Sequence, residues 1–130
     1  MKLHISLLLL LLFTIDAYAL CDDAIDQIGY RICLSQKADS SQKEVEAKRT
    51  ELLTKIKAWD QEPEFRDETV KLFEKAVKSF ESYKQHQCDY EWSAAAGGNG
   101  GSSMAFHCVI KLNTEYLNLL NTQLDWYEPY

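Results

Sequence analysis

The segment CDYEWSAAAGGNGGSSMAFHC, residues 88–108, sets the architecture that this 130-residue sequence predicts. Its two cysteines enclose a glycine-rich run at 97–101, and helix-forming sequence extends on both sides of that run. Because clustered glycines are too flexible to continue a helix, one helix must end before the run and another must begin after it. A Cys88–Cys108 disulfide would clamp these two antiparallel helices on either side of the loop.

The segment before the glycine run has the pattern of a long amphipathic helix. Its larger side chains recur in steps of four and three residues, which predicts a stripe that faces the core. The predicted stripe consists of Phe73, Ala76, Phe80, Tyr83, Gln87, Tyr90 and Ala94, with Leu72, Val77 and Trp92 widening it.

Two more long helices and a short one complete the prediction. The segment from Ala38 to Trp59 is polar and helical, and Pro63 ends it because proline disfavours helical geometry in the residue before it. The last helix begins at about Ser103, and Asp26 caps a short leading helix that runs through Cys33. The sequence therefore predicts an all-α, up-down bundle of three main helices with a short N-terminal helix and two disulfides.

Residues 1–19 have the features of a signal peptide, which leaves one domain over 20–130. Lys2 provides a positive charge, residues 7–13 are uniformly apolar, and Ala17-Tyr18-Ala19 presents small residues to a signal peptidase. An uncleaved anchor would need about 20 apolar residues. A lipoprotein would need a small residue before Cys21, where the chain has Leu20. We therefore expect no membrane insertion after cleavage, and a periplasmic or secreted protein.

Export places the four cysteines in an oxidising compartment, where two disulfides are the default. Three connectivities are possible. We favour Cys21–Cys33 with Cys88–Cys108, because each of these pairs closes a local loop.

The net charge of −6 argues against nucleic acid as a partner and favours a basic protein, although an acidic surface can also serve solubility alone. His86 and His107 lie next to Cys88 and Cys108, which could in principle bind zinc or copper. Disulfide formation would consume both sulfurs, so we expect no metal ion and no cofactor. The chain has no nucleophile elbow, phosphate loop or HExxH motif, and we predict that it is not an enzyme.

The glycine-rich loop is the candidate binding site. It lacks bulk, is tethered by a disulfide, and could present backbone groups to a groove in a partner. A plain connector between helices is the alternative interpretation, since loops lie on the surface by default. The candidate residues are Gly97, Gly98, Asn99, Gly100, Gly101, Ser102 and Ser103.

Several residues also match a family pattern. Phe80, Tyr83 and Cys88 keep its spacing after Ala76, and a later Gly-Gly-Ser, an additional cysteine and two paired N-terminal cysteines follow the same pattern. By these residues the chain resembles the LprI-type lysozyme inhibitor family over essentially its whole mature length. The matching later positions are Gly100-Gly101-Ser102, Cys108, Cys21 and Cys33.

The chain also departs from that pattern. Phe80 replaces the usual Trp, Lys84-Gln85 replaces Arg-Asp, and Asn113 and Tyr116 replace a Thr and an Arg; the stretch after Ala38-Asp39 lacks the usual Leu-Asn. The resemblance implies an exported, helical, disulfide-bonded bacterial protein that binds a basic lysozyme-type enzyme without catalysis. An envelope interaction, immunity or structural protein with another partner remains the alternative.

We expect the exported protein to begin at Leu20, because the peptidase site ends at Ala19. The intact mass of protein recovered from outside the cytoplasm tests this directly. A mass that includes residues 1–19 would indicate an anchor, and a lipid adduct on Cys21 would indicate a lipoprotein.

Overall fold

A computed structural model of the chain describes residues 20–128, so the predicted signal peptide lies outside the described residues. Over this range the protein has three α-helices, α1 (Gln27–Lys57), α2 (Pro63–Ser93) and α3 (Gly101–Leu124), followed by a 3-10 turn at Asp125–Tyr127. The three helices form an up-down bundle, in which α3 packs against both α1 and α2. This confirms the all-α class and the three main helices.

The separate short N-terminal helix is absent from the described residues, and its sequence forms the first turns of α1. Asp26 is the N-cap, and its carboxylate accepts a hydrogen bond from the Gly29 amide at 2.7 Å. The helix continues through residues 34–37 because these contain no glycine or proline, and because Leu34 and Ala38 are both buried. Pro63 then occupies the first turn of α2, where a missing amide hydrogen costs nothing.

The apolar core has two parts. The larger cluster joins the second half of α1 to the second half of α3, and consists of Val45, Leu52, Ile56, Tyr116, Leu120 and Leu124. The smaller cluster surrounds the second disulfide and consists of Cys88, Cys108 and Leu112. Phe80 packs against both clusters and links them.

The predicted core stripe on α2 is wrong at four of its seven positions. Phe73, Phe80 and Gln87 are half-buried, as is Val77 beside them, but the other predicted members face solvent. The helix instead turns Lys84 and Cys88 into the bundle, and both are buried. The exposed members are Ala76, Tyr83, Tyr90 and Ala94, and Leu72 and Trp92 are exposed with them.

Lys84 is buried because it has polar partners on all three helices. Its ammonium donates to Gln42 Oε1 at 2.6 Å, to Asn113 Oδ1 at 2.9 Å and to Glu81 Oε1 at 3.1 Å. Asn113, which is fully buried, also donates to Ser41 Oγ at 3.0 Å. A buried cation is tolerated only when such partners replace its water.

Arg49 extends this polar cluster toward the surface between α1 and α2. Its guanidinium lies 4.9 Å from the centre of the Tyr116 ring, which stacks on Phe80 at 3.8 Å. It also donates to Glu81 Oε1 at 2.5 Å. Burial acts to raise the pKa of Glu81, but hydrogen bonds and charge from Arg49 and Lys84 outweigh it and lower the pKa below its ordinary value of 4.5.

Because the folded state favours ionised Glu81, this carboxylate stabilises the fold above its ordinary pKa, and the contribution is lost as pH falls through the lowered value. We expect Glu81→Gln to lower the Tm at pH 7 and to reduce the Tm difference between about pH 7 and pH 3. Glu74→Gln removes the same charge from an exposed site on α2 and serves as the control. Equal pH dependence in Glu81→Gln and wild type would contradict the assignment.

Candidate functional site

The glycine-rich run lies in the loop between α2 and α3, at one end of the bundle. Residues 94–100 form this loop, and its backbone reverses at Ala96 and Gly97, where φ is +50° and +78°. The Gly98 amide donates to the Ala95 carbonyl at 2.8 Å, so the loop has an internal turn. Four of the seven predicted binding residues lie here and are exposed, namely Gly97, Gly98, Asn99 and Gly100.

The other three predicted residues, Gly101, Ser102 and Ser103, form the first turn of α3. Gly101 is buried against Trp92: a Cβ atom at this position would lie 3.1 Å from the indole Nε1 and 3.1 Å from the Trp92 carbonyl oxygen. A side chain there would be tight, and Trp92 would have to shift by a few tenths of an ångström to admit it. Gly101 therefore fixes the base of the loop, and the accessible part of the segment is shorter than the sequence suggested.

A disulfide holds the two helices together just below the loop. Cys88 lies five residues before the end of α2, and Cys108 lies seven residues after the start of α3. The bond between them is buried, with the two Cα atoms 5.5 Å apart. Closing a loop of this length removes about 3 kcal/mol of entropy from the unfolded chain. The loop is thus presented from a rigid base.

The N-terminal end of α1 completes this end of the bundle. Tyr30 Oη and His107 Nε2 are 2.8 Å apart, which ties α1 to α3. Between the loop and α1 is a depression of about 200 Å³. Its lining residues are Gln27, Tyr30, Arg31, Asn99, Gly100 and Ser103. Local spacing gives no sign of the α1 residues at this site, because the Tyr30–His107 contact joins positions 77 residues apart.

An apolar ridge at the start of α1 lies near the depression. Ile28 and Ile32 of α1 are 61% and 54% exposed, and Ile25, in the turn before the helix, is fully exposed. The Cys21–Cys33 disulfide, with its Cα atoms 6.0 Å apart, holds the N-terminal turn against α1. The spacing of the three isoleucines was a signal in the sequence that could have identified this surface.

The charges at this end are mostly negative. Asp22, Asp23 and Asp26 precede α1, Asp89 and Glu91 lie near the end of α2, and Arg31 is the one basic residue within 22–31 and 89–91. Amide N–H groups in the first turn of α3 open toward the loop, where Gly100 provides no side-chain cap. This end therefore combines an acidic surround with hydrogen-bond donors on the backbone.

The residues considered as metal ligands do not form a cluster. Cys88 and Cys108 are bonded to each other, and His107 is paired with Tyr30. Within residues 20–128, no group of three or more His, Cys, Asp or Glu side chains is placed to hold a metal ion. The arrangement at this end suits protein recognition.

Comparison with known proteins identifies the family. The model of the family described as lysozyme inhibitor LprI matches residues 21–120, a segment that includes both disulfides and the loop. The chain belongs to the LprI lysozyme inhibitor family. Neither the curated proteins nor the solved structures yielded a match.

LprI proteins are exported, non-catalytic inhibitors, so the partner that the family implies is a protein. Both disulfides fit an oxidising compartment. Within the described part of the chain, no helix is long and apolar enough to cross a membrane.

We expect Gly101→Ala to destabilise the protein by about 1–3 kcal/mol, because the added methyl group overlaps Trp92. Gly100→Ala is the matched control, since its Cβ atom would meet nothing within 4 Å, and its free energy of unfolding should stay within about 0.5 kcal/mol of wild type. Denaturant unfolding followed by tryptophan fluorescence measures both. Equal stability of the two variants would show that Trp92 does not pack on Gly101.

Proposed function

We propose that this LprI protein acts in the periplasm or after secretion, and that its loop end occludes the substrate cleft of a basic, lysozyme-type enzyme. The observation that carries the proposal is the family match over residues 21–120, which includes an exposed loop held by the Cys88–Cys108 disulfide. A rigid loop loses little conformational entropy on binding. The inhibitor then needs no chemistry, only a stable complex.

Electrostatics support the choice of a basic partner. Five carboxylates surround the loop end against one arginine, so a basic enzyme approaches this end faster than a neutral one. The exposed isoleucines Ile25, Ile28 and Ile32 offer apolar area for the core of the interface. The acidic surround supplies the rate of encounter, and the apolar ridge supplies affinity.

The loop tip fits the chemistry of a glycosidase cleft. Lysozymes cleave sugars with a pair of carboxyl groups that face each other across the cleft. Asn99 is an exposed hydrogen-bond donor without negative charge in this loop. Donors at the tip therefore meet the carboxylates of the enzyme while the aspartates remain at the rim.

Asn99→Asp tests this placement, because a new carboxylate at the tip would face the carboxylates of the enzyme. We expect the inhibition constant against a susceptible lysozyme to rise by about tenfold, or about 1.4 kcal/mol. Asn118→Asp makes the same change at an exposed position on α3 far from the loop and should leave inhibition within about twofold. The assay is the turbidity of a cell-wall suspension.

The same assay separates the other functions. The panel should include several lysozymes and cell-wall amidases, and each variant should first show the Tm of wild type. Equal inhibition by Asn99→Asp and Asn118→Asp would contradict the placement of the loop in the cleft. It would leave the assignment of the protein as an inhibitor intact. Inhibition of an amidase alone would assign a different cell-wall enzyme, and no inhibition at all would favour an envelope interaction or structural role.

A further inference from the structure

One face of α2 has no partner within the described residues, although its pattern is that of a helix seam. Its members alternate in steps of four and three residues, and they are Leu72, Ala76, Ser79, Tyr83, His86 and Tyr90. All six are exposed, including 53% of Leu72, 53% of Tyr83 and 65% of Tyr90. None is an acid, a lysine or an arginine. This spacing is the heptad pattern by which one helix packs against another.

We propose that this face binds the same face of a second copy, with the two α2 helices antiparallel. In that arrangement Tyr90 lies against Leu72 of the second copy, Tyr83 against Ser79, and His86 against Ala76. Every layer pairs a larger side chain with a smaller one, which is how close packing without voids is achieved. The two-fold axis makes each contact occur twice.

Charges beside the seam select the antiparallel arrangement. Lys75 and Asp89 flank the same edge of the seam, both are exposed, and both lie seven residues from Ser82. They are about 21 Å apart along α2 and cannot pair within one chain. Antiparallel packing brings Lys75 of each copy to Asp89 of the other, whereas parallel packing about a two-fold axis would place these edges on opposite sides of the seam, where Lys75 and Asp89 do not meet.

A depression next to the seam accommodates the Tyr90 side chain of the second copy. It has a volume of about 240 Å³ and lies beside Leu72, between α2 and the end of the chain. Ala76, Trp126 and Tyr127 form its apolar walls. The antiparallel register puts the Tyr90 ring of the second copy at Leu72, where it fills this space. The two loop ends then point in opposite directions, and both stay accessible.

A charge exchange tests the proposal on the oxidised, exported protein by sedimentation equilibrium. Lys75→Asp and Asp89→Lys should each raise the dimer dissociation constant by about tenfold or more, because each opposes like charges. The double variant should return to within about threefold of wild type, since both pairs are restored with the signs exchanged. Rescue of this kind requires two chains, given the separation of the two residues.

Lys78→Asp is the matched control, because Lys78 is also on α2 and exposed but lies off the seam; it should leave the dissociation constant within about twofold. Tyr90→Glu should abolish the dimer while far-UV circular dichroism stays as in wild type. Wild-type protein that stays monomeric at about 0.5 mM would overturn the proposal, because this concentration is far above most specific dissociation constants. Failure of the double variant to recover, or binding of soluble glycan in place of self-association, would also overturn it.

Discussion

The buried ammonium of Lys84 is the interaction on which the bundle depends. Its hydrogen bonds reach all three helices, through Gln42, Glu81 and Asn113. Apolar contacts are non-directional and would tolerate helices that slide or rotate. Hydrogen bonds to a buried cation do not tolerate sliding or rotation of the helices, because the loss of one partner leaves the buried positive charge uncompensated. The rotation of α2 follows: with Lys84 inward, Tyr83 and Tyr90 must face outward.

This rotation also positions the loop. Cys88 follows Lys84 by one helical turn, so the same face of α2 that holds the lysine turns the cysteine toward Cys108. Five residues further along α2 the helix ends, and Trp92 covers Gly101 at the start of α3. The polar cluster thus orients Cys88 toward Cys108. The disulfide then joins α2 to α3, and Trp92 fixes the first turn of α3 by packing on Gly101. The exposed loop is short because both of its ends are fixed.

The sequence predicted the structural features that depend on residues close together in the chain. The three long helices, the glycine-rich loop and the local disulfide pairs all follow from spacing and from breakers. The face of α2 could not be predicted, because a stripe chosen for apolar character omits a lysine whose partners lie 42 and 29 residues away. The break proposed before Ala38 failed because residues 34–37 contain no glycine or proline, and because only the structure shows that Leu34 is fully buried.

The distribution of charge is consistent with two separate surfaces. The loop end carries five acids against one arginine, and the opposite end, at 57–68 and 125–128, carries seven acids against two basic residues. The middle of α2, residues 69–85, has four lysines and two glutamates. Net negative charge is therefore confined to the ends of the bundle. Steering of a basic protein acts at these ends, while the middle of α2 is free of the repulsion that would keep two acidic proteins apart.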